Sequence, residues 1–174
     1  SARDRNPSQR GGNLLMRKTR IVEWDGDERY RFTLKTVTVA GDMRRSDLLA
    51  EGHAWFTERR GVEVQDAIDA YRAALQEGDV PEEARRRFAE LWMITDWASI
   101  VASLDRVETQ QGREGAQSWK QIDDGHLYSY EAFAEAIPQE LFVLLADAAH
   151  EVNPHLWRIA ADDEAKKNEK TSAG

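Results

Sequence analysis

The chain has 174 residues, with 24 Lys and Arg against 32 Asp and Glu, a net charge of -8, six Trp and no Cys. This length suits one domain with a core of its own and is short for two. The missing Cys excludes disulfides, thiol catalysis and Cys-bound zinc or iron–sulfur sites. No apolar stretch approaches the roughly 20 residues of a membrane span, so we expect a cytoplasmic protein without membrane contact.

The charge is distributed unevenly along the chain. Residues 1–17 are basic and lack periodicity, which predicts a flexible leader, native or added; residues 161–174 are predicted to be a polar tail. Residues 18–160 are the predicted single domain. Between Asp123 and Glu151 there are seven acids and no Lys or Arg. Because nucleic-acid binding needs clustered positive charge on the folded part, nucleic acid is not expected as the principal partner.

A β-hairpin is predicted at residues 20–36. Two extended runs flank "DGDE", where Asp25-Gly26 offers the positive-φ residues of a tight turn. In the second run, alternation predicts one buried face and one wet face. The buried face would consist of Tyr30, Phe32 and Leu34. Two strands alone are marginal in water, so the hairpin must pack on helices or extend a partner's sheet.

A helical body is predicted at residues 42–110. Asp42 is the expected cap of its first helix, and Gly78 ends the second. The third helix opens at Pro81 and is predicted to continue to about Gln110. It would be the central helix, with its two tryptophans, Trp92 and Trp97, in the core.

A C-terminal helical pair is predicted at residues 118–158. Ser129 is the candidate cap of the first helix, Pro138 opens the second, and Asn153-Pro154 ends it. The residues of the second helix expected to face the core are Leu141, Leu144, Leu145, Ala148 and Val152. The predicted fold class is therefore mainly α, an N-terminal β-hairpin followed by a bundle of about five helices.

Catalytic, metal and cofactor sites have no support in the sequence. His53, His126, His150 and His155 lack the spacing of known zinc motifs, and the sequence contains no phosphate-binding glycine loop or serine-hydrolase motif. We therefore expect no metal, no cofactor and no enzymatic activity. An enzyme that uses scattered His and carboxylates is a distant third interpretation and would need a deep pocket where they converge.

Partner-binding residues are sought among the aromatics and the acids. Trp55, Trp119 and Trp157 each stand near the end of a segment, where an aromatic side chain either anchors a partner or closes the core. Uncompensated negative charge favours a basic partner, although it equally describes a soluble face. The polar candidates are Glu131, Glu135, Glu140, Asp147, Glu151 and His155.

The order of these parts resembles the tail assembly chaperones of long-tailed bacteriophages and prophages. The resemblance covers about residues 18–158 and is carried by two stretches: "EWDGDERYRFTLKTVTVAGD", and "YEAFAEAIPQELFVLLADAAHEVNPHLWR" with its Ile137-Pro138 step and its end Asn153 to Trp157. It implies a non-enzymatic protein that binds tail-tube and tape-measure proteins in the host cytoplasm, prevents premature polymerisation and is not expected in the mature virion. Self-association and a longer frameshifted form are left open.

The alternative function belongs to another class. A small acidic helical regulator would mimic the charge of nucleic acid and bind a basic nucleic-acid-binding protein. It would require the acids to form one continuous stripe on the folded surface.

Overall fold

The computed structural model describes residues 17–110 and 118–156, so the predicted leader up to residue 16, Trp157 and the tail lie outside the described residues. In chain order the elements are β1 (Thr19–Asp25), β2 (Arg29–Lys35), α1 (Val39–Arg60), α2 (Val64–Glu77), α3 (Glu82–Ser103), β3 (Leu104–Gln110), β4 (Trp119–Gln121), a 3-10 helix (Gly125–Tyr128), α4 (Tyr130–Ala136) and α5 (Gln139–Val152). The mainly α fold with an N-terminal hairpin is confirmed.

The sheet is larger than the predicted hairpin. It has four antiparallel strands in the order β1-β2-β3-β4. The prediction of a helix running to Gln110 was wrong, because α3 ends at Ser103 and β3 begins at the next residue. Leu104–Gln110 forms a strand because it hydrogen-bonds to the side of β2 that β1 leaves open, with Phe32 opposite Val107.

A second strand replaces the start of the predicted C-terminal helical pair. Trp119–Gln121 pairs with Glu108–Gln110 as β4. The turn between β1 and β2 also differs from the prediction. Positive φ is found at Gly61 and Gly78 but not at Gly26, among the described residues. Instead, the Gly26 amide donates to the Glu28 carbonyl at 2.9 Å, which closes a three-residue connection.

Most of the predicted helix ends are correct. Gly78 ends α2 in the left-handed region, α3 begins directly after Pro81, and the Ser129 side chain accepts a hydrogen bond from the Ala132 amide. The first helix begins earlier than expected. Thr38, not Asp42, is its cap and accepts from the Gly41 amide at 3.1 Å.

The core lies where α3 crosses α1 and faces the sheet and α5. Its central residue, Trp97, is fully buried and donates from Nε1 to the Leu127 carbonyl at 2.8 Å. Trp92 was wrongly assigned to the core, since it is 43% exposed. Five residues separate the two tryptophans, so they point to different sides of the helix.

The core face of α5 is also narrower than predicted. Leu141, Leu145, Ala148 and Val152 are buried, as expected, but Leu144 is 46% exposed. Leu144 and Leu145 are adjacent residues and therefore point about 100° apart around the helix, so one helix–core contact does not cover both.

Candidate protein-binding surface

Strand β1 is one of the two edge strands of the sheet, and its backbone is open along one side. The Thr36 amide donates to the Lys18 carbonyl, and Gly26 donates to Glu28, so the even-numbered residues of β1 bond to β2. The odd-numbered residues direct their N–H and C=O groups outward: Thr19, Ile21, Glu23 and Asp25. In the part of the chain that the structure describes, no other segment bonds to these groups. This edge can therefore accept an added strand.

Helix α5 lies beside this edge and forms a shallow groove with it. The apolar lining comes from Ile21, Val22, Leu144 and Ala148. Ile21 and Leu144 are 48% and 46% exposed. We call this groove, together with the open edge, the β1–α5 surface. Exposed aliphatic side chains beside unpaired backbone groups are features of a surface that another protein covers.

Charged side chains form the rim of the β1–α5 surface. They are Arg20, Glu23, Asp147 and Glu151. Arg20 and Glu151 pair at 3.2 Å, which links β1 to α5, although both side chains are more than half exposed and contribute little to stability. Glu140 lies one turn before Leu144 on the same side of α5. Glu140, Asp147 and Glu151 therefore share one side of α5, and Asp147 and Glu151 lie next to the edge of the sheet.

Trp55 and Glu131 lie on a different part of the molecule. The half-buried Trp55 ring packs edge-on against Tyr130, with 4.8 Å between ring centroids, and the Arg60 guanidinium lies 5.5 Å from its centroid. Burial raises the pKa of Tyr130 to about 12, so its hydroxyl stays protonated. Glu131 pairs with Arg59 at 3.1 Å. These contacts join α1 to α4, although the buried Trp55 Nε1 atom has no hydrogen-bond partner in the described part of the chain.

Trp119 is held on the outer face of the sheet. The Arg31 guanidinium stacks 4.3 Å from its ring centroid and also donates to both carboxylate oxygens of Glu108, each at 3.1 Å. The hydrogen bond from Arg31, with a further one from Arg106, lowers the pKa of Glu108 despite the opposing effect of burial. Trp119 is therefore part of a stacked ionic network on the sheet and is only half exposed.

The remaining predicted site residues do not converge. Glu135 is exposed on α4, His155 is exposed after α5, and Trp157 lies outside the described residues. Sequence reasoning missed Ile21, which lines the surface without having been selected. The sequence feature that could have identified Ile21 is the "RIVEW" run, in which Ile21 and Val22 are adjacent. Adjacent residues of a strand point to opposite faces, so one of the two is exposed unless both faces are covered.

Asp96 and His150 form the principal titratable contact between α3 and α5. The Asp96 Oδ1 and His150 Nε2 atoms are 3.6 Å apart, and burial raises the pKa of Asp96 while His150 opposes the shift. Within residues 17–110 and 118–156, no three His, Asp or Glu side chains are arranged to hold a metal ion. In the same ranges, no helix has both the length and the apolar character needed to cross a bilayer.

None of the protein families, curated proteins and solved structures compared with the chain matches it.

Proposed function

We propose that this protein is a non-enzymatic tail assembly chaperone of a long-tailed phage, which binds the tail-tube protein, the tape-measure protein or both through the β1–α5 surface. The observation that carries the proposal is the open backbone edge of β1 beside the exposed side chains of Ile21 and Leu144. It adds to the resemblance between residues 18–158 and that class of chaperones.

The physical task of such a chaperone suits this surface. A tube subunit that has not yet polymerised exposes strand edges and apolar docking surfaces, which pair prematurely if they are left uncovered. Strand β1 provides backbone hydrogen bonds to an exposed edge, and the Ile21 and Leu144 side chains cover apolar groups next to it. Because the chaperone must release the tube subunit when the tube forms, we expect a micromolar dissociation constant for their complex. This corresponds to a binding free energy of about -8 kcal/mol.

Two acidic side chains on this side of α5 orient the partner. Asp147 and Glu140 make no ion pair with any residue in the described part of the chain, so their charge is available to a basic surface. We expect this contribution to weaken with salt, because both side chains are exposed to solvent. The apolar and backbone contacts would remain.

Co-expression with the tail-tube and tape-measure proteins of the phage or prophage that encodes the chain tests the proposal. The wild-type chain should keep the tube protein soluble and elute with it in size-exclusion chromatography. Ile21→Lys combined with Leu144→Lys should weaken that complex at least ten-fold, because two charges replace the apolar contacts. Leu75→Lys combined with Val39→Lys is the matched control, since both residues are more than half exposed and lie outside this surface.

The contribution of the strand edge is tested separately at Glu23. Glu23→Pro removes an outward N–H group and leaves the bonds to β2 intact, whereas Glu23→Ala removes the same side chain and keeps the N–H. Glu23→Pro should therefore bind the tail proteins more weakly than Glu23→Ala does. No association with either tail protein, or a stable homodimer that blocks β1 and excludes them, would overturn the proposal.

The acidic regulator has less support. Its continuous acidic stripe is interrupted on α5 by the exposed Leu144, and Glu151 is paired with Arg20. Salt-sensitive binding to a basic nucleic-acid-binding protein, without binding to the tail proteins, would favour it over the chaperone.

A further inference from the structure

A cavity of about 410 Å³ lies between the hairpin end of the sheet and the turn that joins α4 to α5. This volume falls within the range of pockets that bind small ligands. The cavity shares no lining residue with the β1–α5 surface. Its apolar walls include Trp24, Tyr30, Phe32, Val107, Ile122 and Leu141.

The polar groups of this cavity are acidic. Asp27 comes from the β1–β2 connection, and Asp124 comes from the segment before the 3-10 helix, together with His126. None of the described residues that line the cavity is Lys or Arg, although the chain has 24 of them. The carboxylates that line the cavity therefore favour a cationic ligand and disfavour anions.

The Asp27 carboxylate is held in a fixed orientation. Its Oδ1 atom accepts hydrogen bonds from the Tyr30 hydroxyl and from the Glu28 amide, both at 2.9 Å. Burial, together with the hydrogen bond to Asp27, raises the pKa of Tyr30, so the hydroxyl remains a donor at neutral pH. Both bonds go to Oδ1, and within the described chain the Oδ2 atom has no hydrogen-bond donor. A ligand can therefore use Oδ2 without breaking either bond.

We propose that this cavity binds an organic cation, namely a guanidinium or ammonium group carried on an apolar stem. The stem lies among the aromatic and aliphatic walls, and the charged group reaches Asp27 and Asp124. Aromatic side chains such as Trp24 and Tyr30 attract cations through their ring faces, and carboxylates form charge-assisted hydrogen bonds with the same groups. A free organic amine and an Arg or Lys side chain of a partner protein share this chemistry. The proposal does not depend on the chaperone function.

A pair of ligands that differ in charge alone gives the sharpest test. Butylguanidinium and its uncharged counterpart butylurea are titrated separately into ¹⁵N-labelled protein. The signals followed are the Trp24 indole, assigned with Trp24→Phe, and the Gly26 amide, which adjoins the cavity. Butylguanidinium should shift both signals to saturation and should bind at least about ten-fold more tightly than butylurea. Equal binding of the two ligands, or no shift with either, would overturn the proposal.

Two variants separate the cavity from the general negative charge of the protein. Asp27→Asn should weaken butylguanidinium binding about ten-fold or more. Asp79→Asn removes the same charge from an exposed position outside the cavity and should leave binding unchanged. Equal effects of the two variants would show that the cation responds only to net charge, and would overturn the proposal. A short peptide with one Arg between apolar residues distinguishes the two sources: binding tighter than butylguanidinium indicates a protein side chain, and weaker binding indicates a free amine.

Discussion

Asn153 Nδ2 donates a hydrogen bond to Ser103 Oγ over 2.9 Å, which ties the end of α5 to the end of α3. The same amide group donates to the Ala149 carbonyl at 3.0 Å, and Asn153 Oδ1 accepts from the Val37 amide at 2.7 Å. Asn153 is only 1% exposed. One buried side chain therefore satisfies polar groups from three segments that are far apart in sequence.

Asn153→Ala should destabilise the fold by roughly 2–4 kcal/mol, because it leaves the Val37 amide without its acceptor, removes the donor to Ser103 Oγ and opens a small cavity. Asn153→Asp keeps the acceptor for Val37 but loses the donor, and should also destabilise the protein. Urea unfolding measures both. His155→Ala, at a nearby exposed position, is the control and should stay within about 0.5 kcal/mol of wild type. An equally small effect of Asn153→Ala would contradict the role given to Asn153.

Gly52→Ala should destabilise the protein by about 1–3 kcal/mol, although alanine is the better helix former by about 1 kcal/mol. Gly52 lies where α1 crosses α3, and a Cβ atom there would clash with Ile94 Cγ2 and come within 3.3 Å of the Trp97 ring. The glycine therefore permits a close crossing and does not interrupt the helix.

A double-mutant cycle with Ile94→Ala checks the Gly52 prediction. Ile94→Ala removes the clashing methyl group, so Gly52→Ala should cost less in that background, with a coupling energy of about 1 kcal/mol. Additive effects of the two substitutions would show that the steric explanation is wrong.

Glu108→Gln should lower the free energy of unfolding by about 1–3 kcal/mol at pH 7, because Arg31 and Arg106 lose their common carboxylate in a largely buried position. The pKa of Glu108 is below its ordinary 4.5 in the folded protein. Its contribution to stability is therefore present above pH 4.5 and is lost as the pH falls through the lowered pKa. Urea unfolding should therefore show a smaller difference in the free energy of unfolding between wild type and Glu108→Gln in acid than at pH 7.

The matched control for Glu108 is Glu82→Gln. Glu82 also pairs with an arginine, Arg86, at 2.7 Å, but both side chains are more than 70% exposed. Exposed pairs on a helix contribute only about 0.3–0.5 kcal/mol, so this variant should be nearly neutral in urea unfolding. Similar losses for the two variants would refute a special contribution from the buried network.

The stability of the protein should fall as the pH drops below about 6.5, with part of the fall due to His53. Burial lowers the pKa of His53 from its ordinary 6.5, so the unfolded chain binds a proton at a pH where the folded chain does not. The neutral His53 side chain contributes fully to the stability of the fold above pH 6.5. This contribution is lost as the pH falls toward the lowered pKa of His53. Thermal midpoints between pH 5 and pH 8 should decline less for His53→Gln than for wild type; parallel profiles would contradict the assignment.

Local signals identified the helix ends well. The helix ends at Gly78, Pro81 and Ser129 depend only on neighbouring residues. A left-handed glycine, a fixed proline φ and a capping hydroxyl need no partner that is distant in sequence. The hairpin was predicted for the same reason, because alternation in "RYRFTLK" extends over adjacent residues. Glu140, Asp147 and Glu151 on α5 were selected by their charge alone. The sequence did not indicate that strand β1 lies beside this helix.

The sequence by itself determined the helix ends at Gly78, Pro81 and Ser129, the N-terminal hairpin and the burial of Trp97, because the preferences involved are encoded within one or two turns of chain. Only the tertiary structure decided that Leu104–Gln110 is a strand, that Leu144 is exposed beside Ile21, and that Asn153 is a buried junction. Each of these depends on a partner that is distant in sequence: β2 for the strand, β1 for the surface, and Val37 and Ser103 for the amide. A seven-residue segment has too little local preference to choose between helix and strand, so the free energy of pairing with a distant strand makes the choice.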